Sequence, residues 1–417
     1  MTAFDCQSLA KNEKNRYNKI CAITKKIPFG GEELENTPQK HPLNKKKIAM
    51  FFLYAIITVL LLVTVLSFND LPAILQELKN VDVKYVLLAV ACVLVYLALY
   101  PLSLCILTKA RKCNVKMSTT YTIAMTEHFF NGITPLATGG QPFQAHSFSR
   151  AKVKISESTG LLLTNLIIYM MVTTGFSLCG LFFWKTITAH VNVAWLPIII
   201  VGYVLNFMMM LIMFALGVSK TVRNWLNKLV AGLAKIKFLK FLEKKIPEIS
   251  EYFEQVQESF SYLTKKKGAF LLATLTKILS FAFLYGSTFF ILRAMHVNVA
   301  ASQAFLVLSG TSFAVTAVGF IPTPGASGGV EASAGQVYKS IIICLTGTAV
   351  GAVAIANSVM LIWRLLSYYF VMGVSLAFYI GLEIYFIQKK KKERRLAAEN
   401  GEALEEKTDE STEETAE

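Results

Sequence analysis

Six long apolar runs constrain this chain more than any other feature. The runs cover about 48–68, 85–107, 158–183, 194–217, 269–292 and one stretch within 355–386. At about 1.5 Å per helical residue, each is long enough to cross a hydrocarbon core of about 30 Å. Of the 417 residues, 54% are hydrophobic and 17% are charged. That composition excludes a cytosolic enzyme, a disordered protein and a secreted disulfide scaffold, because a soluble chain needs more polar surface.

The distribution of basic residues predicts the orientation. The loops at 108–157 and 218–268 carry seven and eleven Lys or Arg residues, whereas those at 69–84, 184–193 and 293–301 carry two, one and one. Basic loops stay on the cytoplasmic side, so six full spans place both termini in the cytoplasm. The net charge of +15 favours contact with anionic lipid head groups. We expect no nucleic-acid partner, because no aromatic-basic binding module accompanies the charge.

The chain divides into three parts. Residues 1–47 form a basic cytoplasmic tail, 48–388 a transmembrane domain, and 389–417 a basic and then acidic tail that we predict to be disordered. Within the membrane domain, 218–268 is a cytoplasmic loop with one apolar stripe at helical spacing. This stripe lies either on the inner membrane surface or on the protein's own cytoplasmic face, and both interpretations stay open. Its members are Ile246, Ile249, Phe253, Val256, Phe260 and Leu263.

Two further apolar stretches, 118–150 and 302–346, are interrupted by helix breakers. Proline lacks a backbone donor and glycine favours turns, so neither stretch forms one continuous helix. In the first stretch, each arm of about 15 residues reaches only about 22 Å, which is short for a crossing. We therefore predict two re-entrant hairpins, the first entering from the cytoplasm and the second from the outer face; two genuine spans are the alternative for 302–346. The breakers are Asn131, Gly132, Pro135, Gly139, Gly140 and Pro142, then Pro322, Pro324, Gly325, Gly328 and Gly329.

The order of spans and hairpins repeats. Each half reads span, span, hairpin, span, counted from opposite sides of the membrane. The predicted fold is thus an all-α polytopic membrane protein with about six full spans plus two re-entrant helical hairpins in an inverted repeat. Paired broken segments in the two halves of a chain point to a transporter's substrate site. We expect the breaks to face each other near the midplane, with kinked structural helices as the alternative.

Several ionisable residues lie where they are costly. A charge near the bilayer centre costs about 2.5–3.5 kcal/mol on insertion scales, so each one requires a partner or a function. Arg364 and Lys277 are suited to hold a phosphate, the arginine by a bidentate fork and the lysine as a point charge. Glu331 would neutralise one of them in the empty site or bind a cationic head group. A purely structural Lys277–Glu331 pair is the alternative.

Other groups near the breaks complete the candidate site. Arg150 is either a substrate ligand or an anchor at the interface. Glu127 and His128 are candidates for a proton relay, with simple packing as the alternative for the histidine. The sequence has no zinc motif, P-loop or dinucleotide fingerprint, so we expect neither a metal nor a cofactor. Backbone N–H groups freed at the breaks would add anion-binding capacity at Gly139, Gly140, Gly328 and Gly329.

Two motifs surround the breaks: Asn131-x-x-x-Pro135-x-x-x-Gly139-Gly140-x-Pro142 followed by Arg150, and Pro322-x-Pro324-Gly325 followed by Gly328-Gly329-Val330-Glu331. With them, the chain resembles the lysylphosphatidylglycerol synthase transmembrane family over about residues 45–390. This family is the flippase-like membrane half of the bacterial multiple peptide resistance factor. The second motif here, Pro-Gly-Ala-Ser-Gly-Gly, is longer than the Pro-Gly-Gly-x-Gly typical of the family. By resemblance, the functional positions are Asn131, Pro135, Gly139, Gly140, Arg150, Pro324, Gly325 and Glu331.

The resemblance implies a multi-pass protein of the bacterial plasma membrane that moves phosphatidylglycerol or lysyl-phosphatidylglycerol between leaflets. Full-length resistance factors continue into a soluble aminoacyltransferase domain, whereas only 29 polar residues follow Gln388 here. We therefore expect transport rather than catalysis. A phosphatidylglycerol lysyltransferase, as a family label or a membrane subunit in cationic-peptide resistance, and a small-solute transporter are the alternatives. Membrane phospholipids are the expected partners, and a homo-oligomer and a separate lipid-modifying enzyme stay open.

Overall fold

A computed structural model describes residues 79–235 and 245–413. Helices make up 82% of the structure, and no strand occurs among the described residues. The first predicted span, 48–68, and the basic tail, 1–47, lie outside them. The all-helical prediction is confirmed.

The helices are labelled α1 to α15 in chain order within the described residues. The first half comprises α1 Val83–Leu99, α2 Leu102–Ala110, α3 Met117–Met125, α4 Glu127–Ile133, α5 Gly140–Arg150, α6 Ile155–Gly180, α7 Trp184–Thr188 and α8 Trp195–Val218. The second comprises α9 Lys220–Leu233, α10 Ile246–Lys265, α11 Lys267–Ala294, α12 Ala304–Thr316, α13 Gly329–Thr346, α14 Ala352–Arg364, a π-helical turn Leu365–Phe370, and α15 Val371–Glu413.

Five helical segments of the described chain are long and apolar enough to cross a membrane. Each overlaps one of the runs predicted from the sequence, so the chain is a multi-pass membrane protein. The segments are Val83–Ala110, Glu157–Thr188, Trp195–Val218, Lys267–Ala294 and Ala352–Glu393.

The last helix runs further than the sequence predicts. It continues to Glu413, through residues 389–413 of the charged tail that we predicted to be disordered. This stretch is rich in Ala, Glu, Lys and Arg, which are strong helix formers, so local propensity opposes the disorder that its charge favours.

The two interrupted stretches fold as short helices around non-helical breaks. In the first, α3, α4 and α5 have 9, 7 and 11 residues, so none exceeds about 17 Å in length. In the second, α12 has 13 residues and α13 has 18. Pro142 does not break a helix, contrary to our expectation. It lies in the first turn of α5, where its missing N–H costs no hydrogen bond. The re-entrant hairpins remain predictions.

The core is built around α11, which packs along α1 and also contacts α2, α6 and α12. In addition, α13 packs against α14, and α12 packs against α6. This arrangement places Lys277 of α11 beside the end of α1 and places Arg364 of α14 beside the start of α13.

Helix α10 resolves one question that the sequence left open. Its apolar stripe packs on the protein itself, because Val256 and Phe260 are 0% and 2% exposed and lie in one cluster with Leu163, Ile167 and Leu216. The stripe is therefore not free to lie on the membrane surface.

Candidate functional site

The two breaks meet. Pro135, between α4 and α5, pairs through its backbone with Pro324, between α12 and α13, in a short antiparallel bridge. The turn after α14 also contacts the chain beside the first break, since the Tyr368 hydroxyl donates to the carbonyl oxygen of Gly132 at 2.8 Å. The prediction that the breaks face each other is confirmed as a contact.

Arg364 is the centre of the polar group beside this contact. Its Nε donates to Glu331 Oε1 at 2.7 Å, and both side chains are 7% exposed. Its Nη2 donates to the carbonyl oxygen of Gly325 at 2.7 Å and to Ser327 Oγ at 3.2 Å. The guanidinium carbon also lies 4.3 Å from the ring centroid of Tyr368. We call these five residues the arginine cluster; they join α14 to the second break.

Local structure explains how Glu331 reaches this position. Glu331 is the third residue of α13, and its Oε2 accepts the backbone N–H of Gly328 at 2.6 Å, which caps the helix. Gly328 and Gly325 have φ angles of 87° and 60°, in the left-handed region that favours glycine. One carboxylate therefore caps a helix and binds a guanidinium at the same time.

Tyr368 belongs to the site, although our sequence analysis did not select it. The π-helical turn that follows Arg364 carries Tyr368 over the guanidinium and onto the first break. The available signal was a pair of tyrosines, at 368 and 369, inside an apolar span four residues after a buried arginine.

A second polar group surrounds Lys277. This side chain is 0% exposed, with Nζ 3.3 Å from the ring centroid of Tyr100 and 3.4 Å from the Tyr100 carbonyl oxygen to which it donates. The Tyr100 hydroxyl donates to Glu127 Oε2 at 3.0 Å, and Gln144 Nε2 donates to the same oxygen at 3.4 Å. The ring centroid of His128 is 4.3 Å from that of Tyr100. We call these five residues the lysine cluster.

The alternative Lys277–Glu331 pair is wrong. Glu331 pairs with Arg364, whereas Lys277 lies near Glu127 and is connected to it through Tyr100. The reason is tertiary: α11 packs along α1, which brings Lys277 to the chain just before α2. Each buried cation thus has its own carboxylate nearby, and each cluster has a formal charge of zero.

Three of the four glycine amides that we expected to be free donors are bonded within the protein. Gly139 N–H donates to Thr134 Oγ1 at 2.9 Å, and Gly140 N–H donates to Asn131 Oδ1 at 2.9 Å. Gly328 N–H is bonded to Glu331. Asn131 therefore has a defined structural task, which is to hold the start of α5.

Arg150 lies apart from both clusters. It forms an ion pair with Glu383 of α15, and its guanidinium carbon lies 4.2 Å from the ring centroid of Phe386. These contacts join the end of α5 to the last span. They fit the interpretation of Arg150 as an anchor better than that of a substrate ligand.

A protein-family model matches most of this chain. The family is described as the lysylphosphatidylglycerol synthase TM region, and the match covers residues 51–375, more than three quarters of the chain. The chain belongs to this family. It is accordingly an integral membrane protein related to lipid modification. No individual curated protein matches the chain.

Both clusters and both breaks lie inside the part that matches the family. Among the described residues, no group of three or more His, Cys, Asp or Glu side chains converges as a metal site would. The two clusters together hold one guanidinium, one ammonium and two carboxylates, which are suited to ionic recognition.

A cleft of about 460 Å³ lies between α3 and α15. Its wall is mostly apolar, and Ser118, Thr119, Thr122 and Tyr385 add hydroxyl groups. Its residues belong to neither cluster. They are Ser118, Thr119, Thr122, Ala377, Phe378, Gly381, Leu382 and Tyr385.

Proposed function

We propose that this protein moves phospholipid between the leaflets of the bacterial plasma membrane, as a flippase or scramblase with both termini in the cytoplasm. The substrate is an anionic or aminoacylated phospholipid of the phosphatidylglycerol or lysyl-phosphatidylglycerol type. One observation carries the proposal: the backbone contact between Pro135 and Pro324, with the buried Arg364 beside it. Two broken segments in contact next to an ionic group are typical of a transporter's binding site.

The arginine cluster supports the substrate class. A guanidinium recognises phosphate through two parallel hydrogen bonds. In the proposed bound state, the lipid phosphate replaces the Glu331 carboxylate on Arg364, and Glu331 turns to the amine of an aminoacylated head group. In the empty site Glu331 neutralises the arginine. Without it, a buried unpaired charge would cost about 3–5 kcal/mol.

The cleft between α3 and α15 supports a lipid over a small soluble solute. Hydroxyl groups of Thr122 and Tyr385 suit a polar head group, whereas Phe378 and Leu382 suit an acyl chain. A substrate with both parts matches both kinds of wall. We propose that the lipid enters the protein here.

The lysine cluster is the proposed site of coupling to an ion gradient. Glu127 and His128 are adjacent in α4, and the Nε2 of His128 is buried without a hydrogen-bond partner among the described residues. We propose that these two side chains relay a proton while Lys277 supplies a second cation for the head group. An imposed pH gradient across vesicles then changes the transport rate.

Lipid transport by the purified protein tests the proposal. Fluorescently labelled phospholipids in proteoliposomes are reduced by external dithionite, which reports exchange between leaflets. We expect Arg364→Ala and Glu331→Gln to slow exchange by about 10- to 100-fold, the value of one charged hydrogen bond of about 1.5–3 kcal/mol.

The matched control is an exposed ion pair. Lys152 Nζ and Glu393 Oε1 are 2.9 Å apart, with side chains 74% and 50% exposed. We expect Lys152→Gln and Glu393→Gln to transport at the wild-type rate. Exchange by the wild type that equals that of empty vesicles, across anionic and aminoacylated lipids, would refute the proposal.

The family description favours a second candidate function. In this alternative, the protein is the membrane subunit of an aminoacyl-phosphatidylglycerol synthase and works with a separate lipid-modifying enzyme. Mass spectrometry of lipids from a deletion strain separates the two. Loss of lysyl-phosphatidylglycerol supports the synthase subunit, whereas an altered leaflet distribution at constant total supports transport.

A further inference from the structure

Helix α9 has an apolar face that the protein covers only in part. Val222 and Leu226 lie in the cluster formed with α10, and Leu226 is 7% exposed. Trp225, Leu229 and Leu233 lie on the same apolar side of the helix and are 58%, 43% and 37% exposed. Three large exposed apolar side chains that are neighbours along one helix face are unusual on a solvated surface.

The protein fixes the orientation of this face. Leu226 packs with Val256 and Phe260 of α10, and Arg223 Nη1 lies 3.8 Å from Glu254 Oε1. At the start of α9, the Ser219 hydroxyl accepts the backbone N–H of Val222. The exposed apolar strip is therefore a defined surface, held in place from the covered side.

The position of α9 puts this surface at the edge of the membrane. Helix α8, a candidate span, ends at Val218, and α9 begins at Lys220. The end of α8 already exposes apolar side chains, with Phe214 37% and Val218 61% exposed. Tryptophan is enriched at membrane–water interfaces, because its ring is apolar and its N–H is polar.

The charge of α9 complements an anionic surface. Residues 219–235 contain no acidic residue. Lys220, Lys228 and Lys235 are exposed. Near an anionic membrane, each such base strengthens binding by a factor of about five.

We propose that α9 is an interfacial helix that binds the anionic phospholipid surface of the cytoplasmic leaflet. Trp225, Leu229 and Leu233 insert among the upper acyl segments, and the three lysines contact lipid phosphates. The inference goes beyond lipid transport and does not depend on it. It also assigns to α9 the membrane-surface position that the sequence left open for α10, whose stripe is covered.

Two measurements on the full-length protein in lipid nanodiscs test this binding. The first is quenching of tryptophan fluorescence by lipids brominated near the top of the acyl chain, taken as the difference between the wild type and Trp225→Phe. The second is amide hydrogen exchange of 220–233 in zwitterionic and in anionic nanodiscs. Exchange of α11 in the same samples reports whether each variant is folded.

We expect bromine to quench Trp225, and anionic lipid to slow exchange in α9 by at least tenfold, below the limit of about 100-fold that three bases at about fivefold each allow. The triple variant Lys220→Gln, Lys228→Gln, Lys235→Gln loses this dependence. The matched control is the triple variant Lys79→Gln, Lys84→Gln, Lys185→Gln, which removes three exposed lysines from the loops predicted on the opposite side. We expect this variant to keep the dependence of α9 exchange on anionic lipid.

Three results would overturn the inference. The first is no quenching of Trp225. The second is equal exchange in zwitterionic and anionic nanodiscs. The third is protection of α9 that rises with the number of protein copies per nanodisc rather than with anionic lipid, which would mean that a second copy covers the face.

Discussion

Replacing Gly325 by alanine perturbs the link between the two breaks. A Cβ at this position would lie 2.3 Å from Cε2 and 2.6 Å from Cζ of Tyr368, so the ring has to move. That ring lies over the Arg364 guanidinium, and its hydroxyl is bonded to Gly132. One added methyl group therefore disturbs the arginine cluster and its connection to the first break together.

The expected loss of unfolding free energy in Gly325→Ala has two parts. Alanine in the left-handed region costs about 1–2 kcal/mol. Forcing the ring aside adds about 1–3 kcal/mol for overpacking. Gly347→Ala is the matched control, because Gly347 has a φ of 71° in the left-handed conformation but no atom within 4 Å of its added Cβ. We expect Gly325→Ala to lower the free energy of unfolding by about 2–5 kcal/mol and Gly347→Ala by about 1–2 kcal/mol.

The assay is unfolding by SDS titration in mixed micelles, followed by circular dichroism. A double-mutant cycle with Tyr368→Ala isolates the clash, and we expect an interaction energy of about 1–3 kcal/mol. If Gly325→Ala and Gly347→Ala lower stability equally, and the cycle is additive, Tyr368 does not lie against Gly325 and the geometry of the cluster is wrong.

Three further predictions follow from buried contacts. Ser375→Ala removes the hydroxyl that accepts the Phe129 N–H at 2.8 Å, so it should cost about 1–3 kcal/mol and speed hydrogen exchange at that amide; unchanged exchange would contradict it. Lys277→Met together with Glu127→Gln removes both charges of the lysine cluster at nearly constant volume, so the unfolding free energy should be unchanged or higher while lipid exchange in proteoliposomes falls; wild-type exchange would contradict a role in transport. Gly202→Ala should prevent stable folding, because its Cβ would lie 1.9 Å from the carbonyl oxygen of Ala317, whereas Gly175→Ala, with no atom within 4 Å, should raise the unfolding free energy by about 0.5–1 kcal/mol; equal expression and stability would contradict this packing.

The spans and the breaks could be predicted from sequence because both are local properties. An apolar run of sufficient length needs no partner to be recognised, and Pro135, Gly139 and Pro324 interrupt a helix wherever they occur. Pro142 shows the limit of this reasoning. A proline ends a helix or begins one according to its position, and only the structure showed that α5 starts two residues before it.

The partners of the buried charges could not be predicted, because they depend on which helices pack together. Arg364, Glu331 and Lys277 were each conspicuous as ionisable groups in apolar surroundings. The amino-acid sequence alone does not determine which buried cation lies beside which carboxylate. The packing of α11 along α1 assigned Lys277 to the group that contains Glu127, and the packing of α14 on α13 assigned Arg364 to Glu331.

Tyr368 and α9 were missed for different reasons. The π-helical turn that aims Tyr368 has no periodic signature in an apolar span. The apolar and basic pattern of α9 was readable, since Val222, Leu226, Leu229 and Leu233 follow helical spacing. It was overlooked as part of a lysine-rich stretch, and only burial showed that α10 is covered while α9 is exposed.

The most direct test of the central claim is a disulfide across the two breaks. Residues paired in an antiparallel bridge have Cα atoms about 4.5–5.5 Å apart, a separation that a disulfide can span. We expect Pro135→Cys with Pro324→Cys, in a background without the seven native cysteines, to cross-link in the membrane. Oxidation should stop lipid exchange, and reduction should restore it. Failure to cross-link, or equal exchange by the oxidised and reduced protein, would contradict the claim that these breaks meet and move lipid.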